Sequence, residues 1–171
     1  MPVAFDPSDP AQCSAVFDAT GHYRYWLTRT WNPQGPAVNF IMLNPSTADQ
    51  FRLDATVTRC LHFAIRWGFG TLVVTNLFAW RSTDPSALHR VPDPVGPENN
   101  RFLLQGAEKC SLQVAAWGLH GSLQQRDQAV MQLLRSYPLT VLGVTKHGYP
   151  RHPLYLRSDA TPQPCVKPAE Y

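Results

Sequence analysis

Three apolar runs, each closed by a short polar signature, limit what this chain can fold into. They are Val38-Asn39-Phe40-Ile41-Met42-Leu43 followed by Asn44-Pro45-Ser46-Thr47-Ala48-Asp49, Leu72-Val73-Val74-Thr75-Asn76-Leu77-Phe78 followed by Ala79-Trp80-Arg81, and Leu142-Gly143-Val144 leading into Thr145 through Pro153. Runs of this length read as strands buried on both faces. Such strands belong in parallel sheets covered by helices, and residues just past their carboxyl ends line the ligand crevice. Two asparagines, an arginine and a histidine would then meet in one place.

The segments between the runs fit that scheme. Asp54 suits the N-cap of a helix over 55–67, with Val57, Leu61, Ala64 and Ile65 at helical spacing and Gly68 as the stop. The strand over 71–78 then completes a right-handed crossover from the strand over 38–43. Residues 79–97, with four prolines, form a long irregular connection of the kind that often carries function. Pro97 starts a helix through Lys109, a strand spans 112–117, a helix spans 122–136, and a strand spans 139–144. Upstream, the aromatic and threonine-rich residues 22–31 suit a strand. The turn Asn32-Pro33-Gln34-Gly35-Pro36 then makes an antiparallel pair with 38–43. Residues 1–20 read as an N-terminal arm and 158–171 as a loose Pro-rich tail. The expected fold is a single α/β domain over 1–171: three layers, α/β/α, with a mostly parallel four-stranded sheet and an N-terminal antiparallel hairpin.

Bulk properties narrow the function less. A chain of 171 residues with 44% hydrophobic and 16% charged side chains can bury one core, which sets aside a disordered chain. A net charge of +3 permits nucleic-acid contact without demanding it. No run reaches the roughly 18 apolar residues that span a bilayer, and Met1 to Asp6 carry no secretory signal pattern. Cys13, Cys60, Cys110 and Cys165 are scattered, with no Cys-x-x-Cys pair, so they read as reduced structural thiols of a cytoplasmic protein. No metal spacing and no cofactor motif is present, although Asp49 and Asp54 flank one loop.

From Tyr23 to Leu156 the chain closely resembles the bacterial and phage family called domain of unknown function 1643. The residues that carry the resemblance are Met42-Leu43-Asn44-Pro45-Ser46-Thr47-Ala48-Asp49, Thr75 through Pro85, Asp93-Pro94-Val95-Gly96-Pro97-Glu98-Asn99 and Pro150-Arg151-His152-Pro153-Leu154-Tyr155. More remotely, the order of Leu43-Asn44-Pro45, Asn76 and His152-Pro153 resembles the uracil-DNA glycosylase superfamily. Here Ser46-Thr47 and Leu154-Tyr155 stand where that superfamily has other residues. The resemblance implies a three-layer fold and hydrolysis of an N-glycosidic bond.

In that reading Asn44 holds a water through its side-chain carbonyl, and Asp49 orients water or binds a cation. Asn76 reads a pyrimidine edge in a bidentate way. His152 donates to the base and stabilises its developing charge. Pro45, Ser46, Thr47, Arg81, Trp117, Arg151 and Pro153 complete a substrate-binding set, with Arg81 facing phosphate or pairing with Asp84, and Trp117 stacking or buried in the core. Asp54 reads as a helix cap before it reads as a catalyst. The partner is a nucleobase, a nucleotide or a nucleic acid, and not a membrane. Two alternatives stay open: a binding module that uses the same crevice without chemistry, and a metal-assisted hydrolase or transferase built on Asp49 or Asp54.

Overall fold

The computed structural model describes residues 3–165. Within them, seven strands form one mixed sheet: β1 (Cys13–Phe17), β2 (Arg24–Thr30), β3 (Ala37–Met42), β4 (Thr71–Asn76), β5 (Leu112–Ala115), β6 (Leu139–Val141) and β7 (Gln163–Pro164). Their order across the sheet is β1-β2-β4-β3-β5-β6-β7. The four central strands, β4, β3, β5 and β6, are mutually parallel. β1 and β2 add an antiparallel pair at one side, and β7 runs antiparallel to β6 at the other. The sheet is therefore wider than the four strands expected.

Alternation along β3 explains the packing. Val38, Phe40 and Met42 face helix α1 (Ala55–Arg66), meeting Val57, Cys60, Leu61 and Ala64. Ile41 and Leu43 face the other way, toward Leu103 and Ala107 of α2 (Asn99–Lys109) and Val130 of α3 (Arg126–Leu133). A strand buried on both faces is apolar at nearly every position, as β3 is apart from Asn39. Asp54 does cap α1, its Oδ1 accepting from Val57 N–H at 2.8 Å.

Four expectations need correction. The strand over 22–31 does not pair with 38–43; β2 lies antiparallel on β4, because β4 and β5 occupy both edges of β3. The 32–36 turn instead folds over the start of β4, where Trp31 and Asn32 donate to the Gly70 carbonyl. A Cβ at Gly70 would sit 2.0 Å from the Asn32 oxygen, so only glycine permits that crossing. The N-terminal arm contains β1, whose short run Cys13 to Phe17 makes the hairpin with β2. The third helix begins at Arg126 rather than 122, because a 3-10 segment (Leu119–Gln125) ends in Gln124 and Gln125, both with φ of +54°. Finally, residues 163–164 of the supposed loose tail pair with β6; residues 166–171 lie outside the described residues.

One buried polar chain stitches the centre together. Thr75 Oγ1 donates to Asn39 Oδ1 at 3.0 Å, and Asn39 Nδ2 donates to Gln113 Oε1 at 2.9 Å. Gln113 Nε2 donates to the carbonyls of Ala107 and Cys110, at 3.2 and 2.9 Å. Three adjacent strands and the end of α2 are thus held in one register, with every amide end used. Gly106 lets α2 approach: a Cβ there would lie 2.8 Å from Asn39 Nδ2. Replacing glycine by alanine inside a helix normally stabilises by about 1 kcal/mol. Here we expect Gly106→Ala to destabilise by about 1–3 kcal/mol in urea unfolding, as overpacking does; a stabilised variant would contradict the close approach.

Candidate functional site

A cleft of about 580 Å³ opens at the carboxyl ends of the parallel strands. Asn44 and Ser46 reach it from the end of β3, Asn76 from β4, Trp117 from the end of β5, and Arg151 and His152 from the segment after β6. Six of the expected site residues therefore share one cavity. Pro45, Thr47, Asp49, Arg81 and Pro153 do not line it.

Asn44 is oriented by its surroundings. Its Nδ2 lies 3.1, 3.3 and 3.0 Å from the carbonyls of Pro45, Trp80 and Ser82. Three acceptors around one atom require it to be the donor end of the amide. The remaining Oδ1 has no protein partner and is the acceptor this residue offers.

Asn76 differs from expectation. It is buried, and its Oδ1 faces Arg24 Nη2 at 3.5 Å, while its Nδ2 is buried without a protein partner. With the oxygen turned to Arg24, Asn76 offers a donor to the cleft and not a bidentate edge. Its own backbone is fixed from behind: Asn99 Nδ2 donates to the carbonyls of Asn76 and Leu77 at 2.9 and 3.0 Å, and Arg126 Nε donates to Leu77 at 2.8 Å.

His152 starts a 3-10 helix (Pro153–Tyr155), and its Nδ1 accepts from Leu154 N–H at 3.3 Å. An Nδ1 that accepts leaves the proton of the neutral ring on Nε2. Burial pushes the imidazole pKa below its usual value, and the charge of Asp54 partly offsets this. The segment is anchored by Arg151 N–H to the Gly143 carbonyl and by Gly118 N–H to the Pro150 carbonyl, both at 2.9 Å.

Trp117 is both core and lining. It is 2% exposed, packs with Ile41, Leu77 and Val130, and keeps a buried Nε1–H with no protein partner. Gly121 passes over it so closely that a Cβ would lie 2.3 Å from its ring.

The residues outside the cleft have other work. The Asp49 carboxylate accepts from Phe51 and Arg52 N–H at 2.8 and 3.0 Å, a local turn. Arg81 stacks its guanidinium over Phe17, 4.7 Å from the ring centre, and donates to the Gly21 carbonyl; Asp84 pairs with Arg90 instead. Pro45 is buried, its carbonyl accepting from Ser82 N–H at 2.9 Å. Thr47 is exposed and Pro153 is buried. Asp54 caps α1 and also lines the cleft, the one carboxylate among its lining residues.

Sequence reasoning missed Arg24. It is 2% exposed, lines the cleft, and donates from Nη1 to the Ala48 carbonyl at 3.0 Å. Burial lowers its pKa to about 10, so it remains a cation at neutral pH. Strict alternation would send Arg24 to the face of Trp26. The pairing of β1 with β2 skips Tyr25, with Val16 opposite Trp26 and Phe17 opposite Arg24. This bulge sends Tyr25 and Trp26 both toward Phe102 and frees Arg24 to join Val74 and Asn76 in the cleft. An arginine inside the aromatic run Tyr23-Arg24-Tyr25-Trp26 was the available signal. Among the described residues no group of three His, Cys, Asp or Glu side chains comes together as a metal site would need.

His152 supplies a pH test. A histidine whose folded pKa is depressed binds fewer protons folded than unfolded, so stability rises with pH through that window. The contribution is complete above the unfolded value near 6.5 and is lost as pH falls toward the folded value. An NMR titration should place the His152 midpoint below 6.5, and His152→Gln should flatten the acid-side loss of stability. A midpoint above the usual value would contradict the buried neutral ring.

The family comparison covers all of the cleft lining except Tyr155. The model of a family described as "Protein of unknown function (DUF1643)" matches residues 24–154, which include Arg24, Asn44, Asn76, Trp117 and His152. No curated protein and no solved structure matches the chain. With most of its length matched, the chain belongs to the DUF1643 family of proteins of unknown function.

Proposed function

We propose that the protein is a nucleobase-directed hydrolase that cleaves an N-glycosidic bond in a nucleic acid or a nucleoside. The observation that carries the reading is the convergence of Asn44, Asn76 and His152, from three separate segments, on one cleft of about 580 Å³. The remote likeness of the motif order to uracil-DNA glycosylases supports the same reading, and so do helices on both faces of a sheet with parallel central strands. The buried thiols of Cys13, Cys60 and Cys110 suit a cytoplasmic protein. No helix among the described residues is long and apolar enough to cross a membrane.

The chemistry follows from donors and acceptors. Asn44 Oδ1 holds a water whose oxygen attacks the sugar carbon. The carbon–nitrogen bond breaks, its electron pair leaves with the base, and the proton that the water sheds ends on that base. Asn76 Nδ2–H and His152 Nε2–H meet the oxygen on which that charge develops, where preorganised donors act most strongly. A neutral His152 donates without having to lose a charge. Asp54 is the carboxylate on hand to face the positive charge building on the sugar.

A second reading is binding without turnover. It is favoured by Asp54, the one carboxylate in the lining, already serving as the cap of α1 through its Oδ1.

Base release from uracil-, hypoxanthine- and modified-base oligonucleotides, and from free nucleosides, tests the first reading. The wild-type protein should release a base, and Asn44→Ala and His152→Ala should each slow release by on the order of 10²–10³-fold. Folded protein that releases no base from the whole panel contradicts catalysis, and ligand binding that survives Asn44→Ala selects the second reading.

A further inference from the structure

The inner end of the cleft has an imbalance that base recognition does not absorb. Arg24 is buried, yet among the described residues its guanidinium forms no ion pair. Its acceptors are neutral: the Ala48 carbonyl at 3.0 Å and the Asn76 amide oxygen at 3.5 Å. Arg24 Nε, Asn76 Nδ2 and Trp117 Nε1 are all buried donors without a partner among the described residues, and all three residues line the cleft. Arg151 adds a second cation at the exposed side. Asp54, the one carboxylate in the lining, accepts from Val57 N–H at its Oδ1; its charge favours the Arg24 cation from a distance, without an ion pair between them.

Buried polar groups are almost always satisfied, and a buried cation with no counter-charge in contact is costly. A neutral acceptor would answer the hydrogen bonds and leave the charge. We propose that the inner end of the cleft is an oxyanion subsite, in which Arg24, Trp117 and the second N–H of Asn76 Nδ2, the one not turned to a base, hold a carboxylate or phosphate group of a small ligand. The bulge at Tyr25 is the device that brings a cation there. The subsite stands whether or not a glycosidic bond is cut, because it rests on the Arg24 surroundings and not on Asn44 or His152.

Melting temperature at pH 7 reads the occupancy, since a ligand that binds only the folded state raises it by mass action. The probes are sodium phosphate, sodium acetate, and uridine 5′-monophosphate against uridine, each compared with sodium chloride at matched ionic strength. Phosphate or acetate should raise the melting temperature of the wild-type protein beyond chloride. A larger rise with the nucleotide than with uridine assigns the oxyanion to a nucleotide phosphate, and equal rises with acetate assign it to any carboxylate-sized anion. Asn76→Asp places a carboxylate beside Arg24; it should melt above wild type without ligand and lose the anion-dependent rise. Arg24→Lys keeps the charge without the guanidinium fork and should weaken anion binding at least tenfold. Should Arg24→Lys fail to fold, Asn76→Asp carries the test. No rise beyond chloride in the wild type, or an undiminished rise in Asn76→Asp, would overturn the subsite.

Discussion

One buried guanidinium organises the site. Arg24 reaches from β2 to the Ala48 carbonyl in the loop after β3 and to the Asn76 amide at the end of β4. It thereby joins three segments far apart in sequence and fixes which end of Asn76 faces the cleft. Arg29, from the same strand, donates to the carbonyls of Asp49 and Arg52 in that loop. The loop that carries Asn44 and Ser46 is therefore anchored through its own carbonyls by two arginines, neither of which meets a carboxylate. Main-chain carbonyls answer hydrogen bonds but not charge, and Asp54 acts on Arg24 only from a distance.

The scaffold around this point is rigid for reasons independent of it. The Thr75–Asn39–Gln113 chain locks β4, β3 and β5 in register. Asn99 and Arg126 fasten the carbonyls at the end of β4 from the opposite face of the sheet. Side chains set on such supports hold their geometry without help from a ligand, which is the requirement for preorganised donors. His152 fits the pattern: a backbone N–H occupies one ring nitrogen and leaves the other for the cleft.

How much of this was legible depended on the period of each segment. The continuous apolar runs at 38–43 and 71–78 and the cap at Asp54 announced a parallel core with a crossover helix, and strand ends located the cleft with Asn44, Asn76, Trp117 and His152 on it. Pairing between strands was harder. Local turn chemistry at Asn32 to Pro36 pointed to a hairpin with β3, whereas the two parallel neighbours of β3 left β2 only the edge of β4. Arg24 was hidden by a single unpaired residue, since one bulge reverses the face that alternation assigns. Asp49 and Arg81 belonged to the right motifs, but a local turn and the Phe17 ring engaged them first. Motif membership reports on the segment; only the fold reports which side chains of the segment remain uncommitted.

The central claim is that groups from separate segments act on one ligand in one cleft. It is tested most directly by following the side-chain N–H resonances of Asn44, Asn76 and Trp117 in isotopically labelled protein titrated with uridine 5′-monophosphate, with the amides of Asn39 and Gln113 as internal references. The account predicts that the three cleft resonances move together along one binding curve while the references stay fixed. Resonances that stay still at saturating ligand, or that move with separate midpoints, would contradict it.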